Sequence, residues 1–136
     1  MKLCLFRLLV DFGLLVLIWM VQLIVYPSFT HFSKENLVEW HVKYTAAMGY
    51  IVGPLMLIQL GIYLMISIGE PTFFSIVGSI LVLAIWVTTF FQFVPKHKLI
   101  SEGKVNNALL NELVRTNWIR TTLWSLLFVV SCISCL

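Results

Sequence analysis

The chain has 136 residues, of which 60% are hydrophobic and 11% charged, with a mean hydropathy of +0.98. Soluble domains carry roughly 25% charged residues, and a water-soluble fold of this size has no interior large enough for so much apolar surface. The formal charge of +3 comes without any Lys/Arg-rich run, so it reads as topology bias and excludes a nucleic-acid partner.

The pattern predicts an all-α fold, a four-transmembrane-helix bundle forming one integral membrane domain over 1–136, with the lipid bilayer as its first partner. Four apolar runs carry it, at 8–29, 46–68, 73–94 and 121–136. A helix of about 20 residues crosses the hydrocarbon core. Long continuous runs without period-2 alternation are helices, and lipid admits only helices or closed barrels. With their polar extensions the expected helices are 8–29, 35–68, 73–94 and 106–136.

The first run follows a basic opening that resembles a signal peptide. It lacks a small-x-small cleavage site and is long enough to span, so it is read as a retained helix. Within it Arg7 and Asp11 stand one turn apart and are expected to pair at the outer interface. Gln22 shares the face of Asp11 and Ile18 and suits an interhelical hydrogen bond. Tyr26-Pro27 is expected to end the helix.

Ser33 is the expected N-cap of the second helix. His41, Met48, Val52, Leu55 and Gln59 form one stripe on it, with Tyr44 at the edge. Gly49 and Gly53 have the spacing of a helix-packing seam and are the expected contact for a partner helix. Pro54 follows and is a candidate kink. Gly69-Glu70-Pro71 reads as a tight turn into the third helix. That helix carries Trp86, Thr88 and Gln92 and is expected to break at Pro95.

The stretch 93–124 is the most polar part of the chain. It holds His97 between two lysines, and Asn117, Thr121 and Trp124 on one face of the fourth helix, with Arg120 alongside. Arg120 can snorkel, or can hold an anionic or enol-type ligand with its planar donor fork.

Lys34, Lys43, Lys96, Lys98, Lys104, Arg115 and Arg120 fall on the side of the first and third loops, and only Lys2 and Arg7 on the other. The positive-inside rule then places loops 1 and 3 in the cytoplasm and both termini outside, with a bacterial inner membrane as the expected location.

His31, His41 and His97 come from three segments on the cytoplasmic side, and three imidazoles are a recognised metal-ligand set. The cofactor is unknown: a metal or haem held by His31, His41 and His97 and a cofactor-free acid–base pocket are equally open. In the second case His41, His97, Asn117 and Arg120 are the catalytic candidates, and Tyr44, Gln92, Trp118 and Trp124 the ligand-pocket candidates. Cys132 and Cys135 form a C-x-x-C that resembles the redox pair of the vitamin K epoxide reductase family, though no second pair exists to relay electrons.

A further likeness rests on Val94-Pro95-Lys96-His97-Lys98-Leu99, the linker asparagines Asn106 and Asn107, and Leu113-Val114-Arg115-Thr116-Asn117-Trp118-Ile119-Arg120 before the last helix. In this order and in its four-span layout the chain resembles the anthrone oxygenase-like family of small membrane proteins. The chain departs from that pattern at His97-Lys98, where an Asn is expected, and in the order Asn117-Trp118. The resemblance implies oxidation of an electron-rich aromatic, often without a bound cofactor. His41, His97, Asn117 and Arg120 would then deprotonate the substrate and stabilise its anion.

Two classes of function remain. One is an oxidoreductase acting on a hydrophobic or aromatic small molecule. The other is a non-enzymatic accessory subunit that packs through Gly49 and Gly53 or binds lipid or quinone. Transport ranks below both, because Asp11 alone is a charge clearly within a span.

Overall fold

The structure, a computed structural model, describes residues 2–69 and 71–135. Four helices long and apolar enough to cross a membrane fill it: α1 (Lys2–His31), α2 (Lys34–Gly69), α3 (Phe73–Ser101) and α4 (Asn107–Cys135). The expected all-α, four-spanning bundle is what the chain forms. The turn read at Gly69-Glu70-Pro71 includes Glu70, which lies outside the described residues.

Local chemistry sets the helix ends. Ser33 caps α2, its Oγ accepting from Asn36 N–H at 3.4 Å. Thr72 caps α3 in a reciprocal box with Ser75. Asn106 caps α4, its Oδ1 accepting from Leu109 N–H at 2.8 Å. Gly103 ends α3 at φ +75°, a left-handed geometry suited to glycine, and its N–H donates to the Ile100 carbonyl at 3.0 Å.

Two helix boundaries differ from the sequence reading, for one shared reason. Pro27 and Pro95 were expected to terminate α1 and α3, yet both helices continue past them. A proline lacks an N–H and its ring collides with the carbonyl four residues back. Here those carbonyls belong to Leu23 and Phe91, and both lie in widened π-helical turns, Val21–Val25 and Thr89–Phe93. Tyr26 N–H donates to the Val21 carbonyl and Val94 N–H to the Thr89 carbonyl, each five residues back. The wide turn accommodates the ring, and each helix gains a polar end. α2 also runs unbroken through Pro54.

α1 packs on α4, α4 on α3, and α2 on α3 and α1. Apolar side chains fill the middle, among them Leu14, Phe29, Tyr63, Val82, Ile85, Leu113, Trp124 and Leu127. Interspersed polar groups are joined from helix to helix. Gln22 donates to the Val114 carbonyl at 3.1 Å and accepts from Asn117 at 3.0 Å and Thr121 at 3.2 Å.

The local Arg7–Asp11 pair does not form. Asp11 accepts from Gln59 at 2.7 Å and Tyr63 at 2.8 Å on α2. Arg7 donates across to α4, to the Ser131 carbonyl at 3.3 Å, to the Ser134 hydroxyl and to Cys135 Sγ at 3.0 Å. Each buried charge binds a different neighbour, which ties α1 to both α2 and α4.

At the same end Cys4 and Cys135 are joined in a disulfide, with Cα atoms 5.9 Å apart. Cys132 is free. The C-x-x-C of the sequence is therefore no redox pair in this structure, because its second cysteine is bonded to α1. We expect non-reducing mass spectrometry after alkylation to find one modified cysteine, and reduction first to give three. A Cys132–Cys135 linkage in the peptide map would refute the pairing.

Gly78 is the one crowded glycine among those described: an added Cβ would run into the Tyr63 ring. That ring is held by its bond to Asp11. Gly78→Ala should therefore cost about 1–3 kcal/mol, the usual range for overpacking. Gly61→Ala, with nothing within 4 Å of its Cβ position, should leave stability unchanged or raised. Thermal unfolding of both variants in detergent checks this; equal midpoints would show that the Gly78 contact is not limiting.

Candidate functional site

α2 and α3 touch at both ends and part between them. Near the short link, Ser67 Oγ and Ser79 Oγ are bonded at 2.7 Å. Near the polar end His41 and His97 are bonded at 2.7 Å. The gap holds a cavity of about 650 Å³. Its back wall is Leu14, Ile18, Val21 and Tyr26 of α1, with Arg120 and Trp124 of α4, all buried. Its exposed lining residues, Gly49, Leu57, Phe90 and Val94, all belong to α2 and α3, so the opening faces sideways, towards lipid.

Most of the lining is apolar. The polar groups gather at the end nearest the first and third loops: Tyr26, Tyr44, Thr89, His97 and Arg120. Arg120 is 7% exposed, and among the described residues no carboxylate pairs with it. Its guanidinium carbon lies 4.3 Å from the Phe93 ring centroid and 5.2 Å from that of Trp124. Its hydrogen bond to Asn117 Oδ1 is a long one, 3.5 Å, and the Tyr26 hydroxyl lies beside the guanidinium. Nε of Arg120, Nε1 of Trp86, Nε1 of Trp124 and Oγ1 of Thr89 have no partner. Buried polar groups are nearly always satisfied. The orphans here are three N–H donors and one hydroxyl, and all four residues line the cavity.

Beside Arg120 runs a chain of four side chains. Tyr26 Oη is 2.9 Å from His97 Nε2, His97 Nδ1 is 2.7 Å from His41 Nε2, and His41 Nδ1 is 2.9 Å from Ser101 Oγ. The two imidazoles lie nearly parallel, with centroids 5.0 Å apart and planes inclined by 22°. Tyr26 and His97 each follow a π turn, Tyr26 directly after Val25 and His97 one helical turn after Phe93.

Of the catalytic candidates, His97 and Arg120 line the cavity. His41 stands behind His97, fully buried. Asn117 supports Arg120 and Gln22 from inside the bundle. Of the pocket candidates, Tyr44 and Trp124 line the cavity. Gln92 does not, and its amide oxygen has no partner. Trp118 is on the wrong face of α4: it is 45% exposed and meets Trp19 edge-on.

The three-histidine metal set is not assembled. His31 is exposed at the end of α1, in a separate depression with Arg115 and Trp118. Both ring nitrogens of His41 and of His97 are engaged in the chain just described. Among the described residues no group of three His, Cys, Asp or Glu side chains is arranged to hold a metal ion.

Tyr26, Ser101, Trp86 and Thr89 are site residues that sequence reasoning did not nominate. Tyr26 looked like an interfacial tyrosine at a helix end, and only the continuation of α1 past Pro27 turns it inward. Neither a known protein family, nor a curated protein, nor a solved structure matches the chain.

Gly49 and Gly53, read from the sequence as a helix seam, border the cavity with nothing within 4 Å of their Cβ positions. Gly53→Leu should fit into this space, leaving the detergent-solubilised assembly unchanged in size by light scattering and the unfolding midpoint unchanged or higher. A shift to a smaller assembly would restore the seam reading.

Proposed function

We propose that this membrane protein binds a hydrophobic ring compound in the lateral cavity and activates it by removing a proton. The observation that carries this reading is Arg120: a buried guanidinium without a carboxylate, facing an apolar cavity beside His97. A buried charge normally has a partner. The unpartnered donors around it call for a ligand that brings acceptors: a carbonyl, an enolate or a phenolate. With no carboxylate among the lining residues, the cavity suits no cation. Its sideways opening suits a molecule that arrives through lipid.

In such a complex the ring oxygen would take the Arg120 and Trp donors, and the Tyr26–His97 pair would receive the proton. Preorganised donors aimed at developing negative charge are a principal source of catalysis. The resemblance to anthrone oxygenase-like proteins adds the next step. The carbanion delocalised into the ring passes electrons to dioxygen, so that a ring CH₂ and O₂ become C=O and H₂O. The second reading, a non-enzymatic quinone- or lipid-binding subunit, is favoured by the lateral opening and uses the same donors without turnover. A partner helix seated on Gly49 and Gly53 would close that opening.

For orientation we propose that the first and third loops face the cytoplasm and both termini the outside of a bacterial inner membrane. The distribution of Lys and Arg supports this. The Cys4–Cys135 disulfide supports it independently, since disulfides persist on the oxidising side.

A long-chain alkyl nitrophenol tests the site, because its phenolate absorbs visible light. The wild-type protein in lipid nanodiscs should bind it as phenolate at a pH where the free probe is protonated. Hydrogen bonds to charged groups contribute roughly 1.5–3 kcal/mol, so Arg120→Ala should weaken binding by about ten- to a hundredfold. Equal affinity in wild type and Arg120→Ala would overturn the reading. Oxygen consumption with electron-rich phenols then separates an oxidoreductase from a binding subunit.

A further inference from the structure

We infer that Tyr26, His97, His41 and Ser101 form a proton relay from the cavity to the aqueous face of the first and third loops. The relay rests on the acid–base reading of the cavity and extends it to where the proton goes. Three links of 2.9, 2.7 and 2.9 Å join the four groups without a gap. One end, Tyr26, lines the cavity. The other, Ser101, is half-buried at the last residue of α3, next to the exposed carboxylate of Glu102. The interior members come from α1, α2 and α3, so the path crosses the bundle rather than following one helix.

The chemistry of the four groups makes the chain reversible in direction. A neutral imidazole carries one N–H donor and one acceptor nitrogen, and a hydroxyl both donates and accepts. In one state Tyr26 O–H donates to His97 Nε2, His97 Nδ1–H to His41 Nε2, and His41 Nδ1–H to Ser101 Oγ. The Ser101 proton then points to water. In the other state every arrow is reversed and the Tyr26 proton points into the cavity. Each link is satisfied in both states.

Passage between them moves one proton. Substrate gives a proton to Tyr26 Oη as the Tyr26 proton moves to His97 Nε2. His97 releases its Nδ1 proton to His41 Nε2, His41 its Nδ1 proton to Ser101 Oγ, and Ser101 its own to water. Four O–H or N–H bonds form and four break within the chain, and its net charge does not change. No imidazolium need persist beside Arg120, Lys96 or Lys98, the cations that flank His97 in space or sequence. Tyr26 thereby becomes a catalytic candidate in contact with substrate, and His41 and Ser101 become relay positions with no substrate contact.

The test uses the full chain in nanodiscs with ¹⁵N-labelled histidine. Wild type should show spin coupling across a hydrogen bond between His41 Nε2 and His97 Nδ1. Ser101→Ala should change the tautomer ratio at the remote His97 as well as at His41, and Tyr26→Phe should do so at the remote His41. A missing coupling, or changes confined to the adjacent ring, would overturn the relay without any ligand being involved. In rapid mixing with the alkyl nitrophenol, Ser101→Ala should reach the same phenolate amplitude about tenfold or more slowly, within the range of general acid–base effects. An unchanged rate would also overturn it. Failure of the probe to bind wild type, with the coupling present, would instead remove the binding reading and leave the hydrogen-bonded chain standing.

Discussion

Hydrocarbon offers no hydrogen-bond partner, so a polar side chain within these spans must find its partner inside the bundle, on its own helix or a neighbouring one. The rest of the bundle depends on that constraint. Lipid contact gives little reason for apolar helix faces to prefer one another. Specific registry has to come from close packing and from polar groups that fit in only one arrangement. Gln22 illustrates this with its bonds to the Val114 carbonyl, Asn117 and Thr121. Sliding α1 along α4 by a turn would strand all of them. Asp11 fixes α2 against α1 by the same logic, and Arg7 fixes α4.

The unsatisfied donors stand out against this background. Elsewhere among the described residues four buried side-chain atoms also lack a partner, Arg7 Nε, Gln59 Oε1, Gln92 Oε1 and Ser131 Oγ, but they are scattered along the bundle. Around the cavity, Arg120, Trp86, Trp124 and Thr89 all keep a free polar atom. They come from α3 and α4, and all four can donate. What sets the cavity apart is that four such groups line one space, as a binding site in a membrane bundle requires. Strain is absent from the backbone there: no residue but Gly103 has a positive φ among those described.

Much of the fold was legible in the sequence. Four runs of this length and hydropathy leave no other solution, and the caps Ser33 and Asn106 mark two helix starts. Side-chain partners were less legible. Arg7 and Asp11 are one turn apart, which favours a local pair in an isolated helix, but two buried charges gain more by each binding a different neighbour. Pro95 read as a terminator because periodicity does not reveal a π turn. Once the helix continues, His97 is placed against His41 and Tyr26 instead of in a loop. Trp118 misses the cavity for a reason that spacing does report. Six residues separate it from Trp124, which puts the two on different faces of a helix with 3.6 residues per turn. Arg120 was recognisable as anchor or ligand group, but the absence of a carboxylate beside it depends on packing that no spacing reports.

The link between Cys4 and Cys135 has a consequence for biogenesis. It joins α1 to α4 across a sequence separation of 131 residues. Nothing can close it until α4 has been inserted and has found α1. The bond is thus a covalent record that α1 and α4 have met. Chains in which α4 has not reached α1 expose three thiols instead of one, which quality-control machinery that recognises exposed thiols can distinguish.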